Sequence, residues 1–224
     1  MDNPFLRNEM LWGQAGQRRL AASHVILFGL GGVGSYTAEC LARAGVGELT
    51  LVDSDTVSVT NINRQLEALT STVGQPKAEA VAARIREINP EAILHPMQAT
   101  YDAAHRDLFF PEGCRYDYIV DAIDLVSCKL DLAETARRLD IPLIMALGTG
   151  NKLDPTQLRL ADISETYGCP LARVMRKELR NRGIHHQAVV FSPEEPVPTI
   201  QLEAPPPGRR SVPASNPWVP ATAG

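Results

Sequence analysis

The chain lacks the features that would place it in a membrane or on a secretory route. Its sequence has no run of about 18 apolar residues, so we expect no membrane span. The opening segment, Met1–Pro4, lacks the basic and then apolar pattern of a signal peptide. The formal net charge is −4, which argues against an overall basic surface for nucleic acid but allows a local basic patch. We therefore expect a cytoplasmic protein.

Cysteine is also scarce and widely spaced. The four cysteines are Cys40, Cys114, Cys128 and Cys169. No two of them have the Cys-x-x-Cys spacing that lets one turn supply two thiolates to a zinc ion. The sequence therefore predicts no zinc knuckle, and in a reducing compartment we expect free thiols that serve mainly in packing.

Apolar residues make up 44% of the chain, enough for one domain with a substantial core. Short apolar runs alternate with segments of helical spacing, which predicts an α/β fold with a Rossmann-like, doubly wound and mostly parallel sheet. Strands are predicted at 24–28, 49–53, 92–96, 116–122, 142–147 and 189–191, with an antiparallel addition at 157–163. Helices are predicted at 8–21, 33–45, 77–89, 127–139 and 171–182, with an amphipathic stretch at 101–110.

The composition changes near residue 198. Prolines recur from Pro193 onward and prevent a continuous helix or a central strand. We interpret residues 1–198 as one domain and residues 199–224 as a proline-rich tail.

A glycine-rich segment follows the first predicted strand and opens the first helix after it. Gly29, Gly31, Gly32 and Gly34 permit a tight turn and let backbone N–H groups approach a phosphate at the positive end of that helix. Asp53 ends the next strand, where its carboxylate could accept both ribose hydroxyls. A turn made only for close packing is the alternative. The pattern favours a nucleotide site but leaves NAD, FAD, S-adenosylmethionine and ATP open.

Basic residues in the next connection favour ATP over a dinucleotide. Asn61-Ile62-Asn63-Arg64-Gln65 precedes Lys77 in the same crossover. A triphosphate carries more charge than a diphosphate, and arginine and lysine could stabilise charge that builds on it during nucleotidyl transfer. The alternative is a surface loop whose Arg64 and Lys77 are simply solvated.

Two aspartates end the strand at 116–122, at the sheet edge where open α/β folds bind ligands. Asp124 is placed to hold Mg²⁺, because hard cations prefer carboxylate oxygen. Asp121 is either a second functional residue or a structural one that accepts hydrogen bonds from nearby backbone amides.

Taken together, these residues resemble the ThiF/MoeB-like superfamily, relatives of the ubiquitin-activating enzymes, which adenylate carboxylates. Within it the chain looks most like the tRNA threonylcarbamoyladenosine dehydratases. The segments that carry this likeness are 57–65, which reads VSVTNINRQ, 148–156, which reads GTGNKLDPT, and 169–175, which reads CPLARVM. The similarity runs from about Arg7 to about Pro198.

The resemblance implies a role for each matched position. ATP would be bound by Gly29, Gly31, Gly32, Gly34, Asp53, Asp55, Asn61, Arg64, Gln65 and Lys77. Arg64, Lys77 and Asp124 would carry the chemistry, with Asp124 holding Mg²⁺; the need for a monovalent cation stays open. Arg7 would also contact a phosphate, either within its own subunit or from the partner subunit of a homodimer.

The implied reaction is ATP-dependent adenylation of the threonyl carboxylate of threonylcarbamoyladenosine in tRNA, followed by ring closure with net loss of water. Intramolecular attack demands no enzyme thiol, and we expect Cys169 to pack at a helix entry. A basic cluster is a candidate tRNA contact, or else a solvated helix face. It comprises Arg173, Arg176, Lys177, Arg180, Arg182, His185 and His186.

Three other functions remain open from sequence. An activator of a sulfur-carrier or ubiquitin-like protein would also adenylate a carboxylate, and a sulfur-transfer or carrier protein would then be its partner. An NAD-dependent oxidoreductase would leave Arg64 and Lys77 without a role. A nucleotide-sensing scaffold would lack chemistry altogether.

The tail departs from the pattern of relatives. Residues 215–224 resemble the start of the family's last conserved segment, with Ala214 where glycine is usual. The apolar C-terminal helix that relatives carry does not follow, so we expect a shortened form. Membrane association through that segment stays open.

Overall fold

The computed structural model describes residues 3–198, which form a seven-stranded sheet flanked by helices. The strands are β1 His24–Phe28, β2 Glu48–Val52, β3 Ile93–Met97, β4 Tyr118–Asp121, β5 Leu143–Ala146, β6 Arg159–Asp162 and β7 Ala188–Phe191. The helices are α1 Leu6–Ala21, α2 Gly34–Ala44, α3 Lys77–Ile88, α4 Arg106–Phe109, α5 Val126–Leu139 and α6 Pro170–Asn181.

The strand order is β3-β2-β1-β4-β5-β7-β6. All neighbouring pairs are parallel except β6 and β7, which run antiparallel. This confirms the predicted doubly wound, mostly parallel sheet with one antiparallel addition.

The burial of β1 shows why this segment forms a central strand. Val25 and Leu27 belong to one buried cluster, and Ile26 and Phe28 belong to another. Successive side chains of a strand point to opposite faces, so an unbroken apolar run is the sequence expected where helices cover both faces. The sheet thus separates two cores, and its polar residues are confined mainly to the two strand-end edges.

Two predicted helices need correction. The helix predicted at 8–21 begins at Leu6 and is interrupted at Gly13, whose φ of 73° lies in the left-handed region. The stretch at 101–110 is helical over Arg106–Phe109 alone. Asp102 Oδ1 accepts hydrogen bonds from the backbone N–H groups of Ala104 and His105, and this local turn competes with an earlier helix start.

Among residues 3–198, none of the helices combines the length and the apolar character needed to cross a bilayer. The predicted proline-rich tail, 199–224, lies outside the described residues.

Candidate active site

The candidate site lies where the strand order reverses. β1 pairs with β2 on one side and with β4 on the other. Connections leave these strands toward opposite faces, which opens a crevice at their carboxyl ends. The glycine segment follows β1, Asp53 follows β2, and Asp124 follows β4, so the fold brings the sequence-predicted residues to one edge. We call this the carboxyl edge.

Two glycines are required by close backbone approach. Gly29 has a φ of 86°, and a Cβ there would lie 2.6 Å from the carbonyl oxygen of Ala122. A Cβ on Gly34 would collide with the carbonyl oxygen of Gly29. The turn therefore packs directly on the end of β4 and leads into α2, with the predicted Gly31 and Gly32 at its tip.

Asp53 holds the base of this turn. Its Oδ2 accepts a hydrogen bond of 2.6 Å from the backbone N–H of Leu30, and its Oδ1 accepts one of 2.8 Å from that of Asp55. The sequence predicted a ribose-binding carboxylate here but not this structural role. Each carboxylate oxygen can accept a second hydrogen bond, so both roles are compatible.

Lys77 is buried, with 5% of its surface exposed, at the start of α3. Its Nζ lies 3.0 Å from Asp55 Oδ2, and the Asp55 side chain is 63% exposed. A buried ammonium close to an exposed carboxylate points toward the crevice edge rather than into bulk solvent. The alternative of a simply solvated Lys77 is wrong.

Arg64 lies in the connection between β2 and α3 and is partly buried. Its Nη1 donates hydrogen bonds to the carbonyl oxygen of Thr60 at 3.1 Å and to Asn63 Oδ1 at 3.0 Å. Burial lowers the pKa of the Arg64 guanidinium from its ordinary value, although the group stays charged at neutral pH. These bonds fix one nitrogen and leave other donors of the fork available.

Asn61 shapes the turn that presents Arg64. Its Oδ1 accepts a hydrogen bond of 2.8 Å from the backbone N–H of Ser58, and the Ser58 side chain completes a capping box around residues Val59–Asn61. Asn61 is therefore a positioning residue of this turn.

Gln65 and Glu67 are buried beside the glycine turn. Gln65 Oε1 and both carboxylate oxygens of Glu67 have no hydrogen-bond partner among the described residues. Burial raises the pKa of Glu67 to about 7, and the positive charge of Lys77 opposes this shift. Gln65 was predicted as a site residue and Glu67 was not, although it lies only two residues further along.

The two aspartates at the carboxyl end of β4, Asp121 in the strand and Asp124 after it, differ in burial. Asp121 is fully buried, and its carboxylate pairs with the Lys129 ammonium at 3.0 Å and accepts a hydrogen bond from the backbone N–H of Ile123. Asp124 is exposed. The contacts of Asp121 are those expected of the structural alternative, whereas the exposed Asp124 is available for a ligand. Burial raises the pKa of Asp121, and the ammonium of Lys129 opposes it.

A second loop that sequence reasoning left without a role reaches the same edge, after β5. Thr149 Oγ1 and Asn151 Oδ1 are buried without a hydrogen-bond partner in the described part of the chain. Asn151 has a φ of 61°, a conformation that asparagine tolerates better than most residues. Nearby Lys152 is buried, donates to the carbonyl oxygen of Ser192, and has its pKa lowered by burial. The sequence did mark this loop, because segment 148–156 carries part of the likeness to relatives, but it assigned no role to single residues within it.

The predicted basic cluster lies on α6 and in the segment that follows it, and two of its arginines are bonded to neighbouring residues. Arg176 donates two hydrogen bonds of 2.6 Å to Thr166, and Arg182 pairs with Glu178 at 2.9 Å, so both are engaged structurally. Arg182 is nevertheless exposed, as are Arg173, Lys177, Arg180, His185 and His186, and His186 Nδ1 lies 3.4 Å from Asp162 Oδ1. The buried thiol of Cys169 accepts from the backbone N–H of Ala172 at 3.4 Å and caps α6, as expected for a helix entry.

Arg7 lies on the exposed surface of α1. The residues that converge on the carboxyl edge come instead from the connections after β1, β2 and β4. Within residues 3–198, Arg7 thus stands apart from that set.

Comparison with known proteins agrees with this geometry. A family model described as the ThiF family matches residues 5–199. The tRNA threonylcarbamoyladenosine dehydratase of Bacillus subtilis is 43% identical over 233 residues, which cover 100% of this chain and 91% of that protein. The dehydratase of the same name from Escherichia coli is 42% identical over 171 residues, and the match spans 76% of this chain and 63% of that protein.

A solved structure shares the fold. The crystal structure of the E. coli tRNA N6-threonylcarbamoyladenosine dehydratase in complex with ATP has a TM-score of 0.84 and 36% identity, covering 98% of this chain and 88% of that one. The same enzyme has been crystallised with AMP. Since the family model covers residues 5–199 and the match to the B. subtilis relative spans the whole chain, the chain belongs to the ThiF family.

Proposed function

We propose that this protein uses ATP to adenylate the threonyl carboxylate of threonylcarbamoyladenosine in tRNA and promotes its cyclisation. The observation that carries the proposal is a pair of cationic side chains in the crossover after β2. Lys77 is buried and lies 3.0 Å from Asp55, and the partly buried Arg64 directly precedes Gln65, which packs beside Gly31. A diphosphate site can rely on backbone dipoles, whereas two such cations suit a triphosphate whose charge increases during nucleotidyl transfer. The likeness to a dehydratase crystallised with ATP and AMP supports the same reading.

The residues of the carboxyl edge fit ATP. The turn at Gly29–Gly34 leads into α2, and the N-terminus of a helix favours a phosphate. The Gln65 side chain, whose Oε1 has no partner among the described residues, lies next to this turn, since a Cβ on Gly31 would be 3.5 Å from Gln65 Nε2. In this proposal the Asp53 carboxylate accepts hydrogen bonds from the ribose hydroxyls. Gly31 and Gly32 lie under the nucleotide, and Arg64 and Lys77 bind the phosphates.

Asp124 is the residue that would hold Mg²⁺. It is an exposed carboxylate at the edge, and hard cations prefer oxygen ligands. Asp121 does not fit that role, because its carboxylate is buried and engaged by Lys129. The ion would supply charge neutralisation between the phosphates and the incoming carboxylate.

The chemistry couples two steps. The threonyl carboxylate displaces pyrophosphate from the α-phosphorus of ATP, and the carbamoyl group of the same nucleoside then attacks the activated carboxyl carbon and expels AMP. Arg64 and Lys77 would stabilise negative charge on the phosphate oxygens in the first step. The second step is intramolecular and needs no enzyme thiol, which agrees with a buried, helix-capping Cys169.

The exposed basic residues of α6 are the proposed tRNA contact. Arg173, Lys177 and Arg180 remain exposed while Arg176 and Arg182 are engaged by neighbours. Phosphate contacts of this kind release counterions, so tRNA affinity should fall steeply with salt.

We also propose a homodimer in which α1 lies at the interface. Leu6, Met10 and Leu11 on this helix are 57%, 77% and 79% exposed, an arrangement typical of a contact surface. Arg7 lies among them, which is consistent with a role across the dimer.

The decisive experiment incubates the full chain with ATP, Mg²⁺ and tRNA that carries threonylcarbamoyladenosine, and then analyses the nucleosides by mass spectrometry. We expect that nucleoside to lose the mass of one water molecule, and only when ATP is present. Arg64→Ala should slow turnover by about 10²–10³-fold. The matched control is Arg86→Ala, which removes an exposed arginine of α3 and should retain wild-type turnover.

Other outcomes identify other functions. Unchanged tRNA together with pyrophosphate exchange that depends on a small protein ending in Gly-Gly would contradict the dehydratase and indicate a carrier activator. Binding of NAD without binding of ATP would contradict both adenylating functions.

A further inference from the structure

Strands β1, β2 and β3 bring together two histidines and a glutamate, toward the end of the sheet opposite the candidate active site. His24 begins β1 and is the register partner of Glu48, which begins β2. His95 of β3 is the register partner of Thr50, two residues beyond Glu48. Register partners in a parallel sheet share a face, and so do residues two apart on a strand. We call His24, Glu48 and His95 the amino-edge cluster.

The donor atoms of this cluster are spaced as metal ligands require. His95 Nε2 lies 2.7 Å and His24 Nδ1 lies 3.4 Å from Glu48 Oε1. One ligand atom from each of the three residues lies within 4.8 Å of the other two. Around a tetrahedral zinc ion with bonds of the usual length, neighbouring ligand atoms are roughly 3.3 Å apart. Small side-chain rotations are therefore enough to admit an ion.

The orientation of His24 is already fixed by its other ring nitrogen. His24 Nε2 lies 2.9 Å from Thr50 Oγ1, and Thr50 is buried. When Nε2 donates to that hydroxyl, Nδ1 is the unprotonated nitrogen and faces Glu48. Metal-ligating histidines typically have their second nitrogen held in this way. The ring of Tyr116 packs edge-on against His24, with ring centroids 4.6 Å apart, and further restricts its rotation.

We propose that His24 Nδ1, Glu48 and His95 Nε2 form a Zn²⁺-binding site with one open coordination position. Two imidazoles and one carboxylate suit zinc, whereas magnesium and calcium prefer oxygen ligands alone. Each ligand comes from a different strand, so a bound ion would link β1, β2 and β3. The site is separate from the proposed ATP chemistry, whose residues lie at the other end of the same strands.

A hydrogen-bonded His–Glu–His network without an ion is the competing explanation, and zinc titration separates the two. The full chain is stripped of metal with a chelator and titrated with ZnCl₂ in a calorimeter. A Cys40→Ser background is used, because Cys40 is exposed and thiolates bind zinc. We expect one zinc per chain.

The matched variants are His95→Gln and His105→Gln. His105 also faces a carboxylate, Asp102, at 2.9 Å, but lies outside the amino-edge cluster. His95→Gln should weaken zinc binding more than about 100-fold, and His105→Gln should leave it unchanged. Glu48→Gln provides a second loss of a ligand, and circular dichroism without metal verifies that each variant folds.

A further variant tests the proposed orientation of His24. Thr50→Val removes the hydroxyl that holds Nε2 and should weaken zinc binding about 10–100-fold without removing a ligand. The proposal is overturned if the wild-type chain shows no saturable zinc uptake. It is also overturned if His95→Gln and His105→Gln bind zinc with equal affinity.

Discussion

Polar side chains at the two edges of the parallel sheet differ in how completely they are hydrogen-bonded. At the carboxyl edge, several buried side-chain oxygens have no hydrogen-bond partner among the described residues. They are Gln65 Oε1, both carboxylate oxygens of Glu67, Thr149 Oγ1 and Asn151 Oδ1, all in connections that follow β2 and β5. At the amino edge, the amino-edge cluster is bonded within itself and to Thr50. The carboxyl edge thus contains polar atoms without hydrogen-bond partners, whereas the side chains of the amino-edge cluster have them.

This difference shows where the molecule is prepared for a large polar ligand. A buried polar atom without a partner costs free energy, so native proteins keep few of them. Such atoms destabilise the free protein, and a ligand that supplies the missing partners at the carboxyl edge stabilises it. The amino edge carries no such cost, and its proposed ion would add stability to a structure that is already complete. Stability measurements can therefore distinguish the edges.

The largest effect is expected at Lys129, which anchors the carboxyl edge. Lys129→Met leaves the fully buried Asp121 carboxylate without its ammonium partner, which should lower the free energy of unfolding by about 3–5 kcal/mol. Urea denaturation measures this loss. Lys177→Met, on the exposed face of α6, is the control and should stay within about 0.5 kcal/mol of wild type. Equal effects of the two substitutions would show that the buried pair does not hold this edge.

Glu67 gives the second effect, and it depends on pH. Its folded-state pKa of about 7 lies above the ordinary 4.5, so the folded state binds a proton more tightly than the unfolded state. The stability associated with this group is present below pH 4.5 and is lost as pH rises through 7. Relative to Glu67→Gln, which cannot ionise, the wild-type protein should therefore lose about 3 kcal/mol across that interval.

Denaturation of both proteins at several pH values tests this prediction. Glu87→Gln, at an exposed position of α3, is the control and should parallel the wild type at every pH. Parallel curves for wild type and Glu67→Gln would contradict a buried, partnerless carboxyl beside Lys77.

A smaller effect is expected at Asp53. Asp53→Ala removes the acceptor of the Leu30 N–H, and Leu30 is fully buried, so a backbone donor is left unpaired. The expected loss is about 1–3 kcal/mol of unfolding free energy, together with weaker ATP binding. Ser54→Ala, at the exposed next position, should leave both quantities unchanged. A stable Asp53→Ala with weakened ATP binding would assign Asp53 to the ribose alone.

The residues that the sequence predicted for the carboxyl edge lie in short local segments. The glycine turn, Asp53 and the Asn61–Gln65 stretch each follow a strand that an apolar run predicts. What the sequence could not give was burial. Lys129 and Glu67 are charged residues in segments that read as ordinary helix or loop, and only the tertiary structure removes them from water.

The amino-edge cluster escaped prediction for a different reason. His24, Glu48 and His95 are widely separated in the chain, and no local spacing marks them as ligands. His24 and Glu48 begin their strands and His95 is the middle residue of β3, so only the observed register places them side by side. Side chains that only strand register brings together have no local motif, whereas the residues of the glycine turn do.

The smallest effect is expected at His95 when no metal is present. Its side chain is 46% exposed, and substitutions at the surface usually have small effects, so His95→Gln should change the free energy of unfolding by no more than about 0.5 kcal/mol. With free zinc at about 100 times its Kd, wild type and His105→Gln should each gain about 2.7 kcal/mol, while His95→Gln should gain almost nothing. Denaturation with and without zinc measures both differences. A large loss for His95→Gln without metal would mean that the amino edge depends on its own hydrogen bonds for stability, and the contrast between the two edges would then fail.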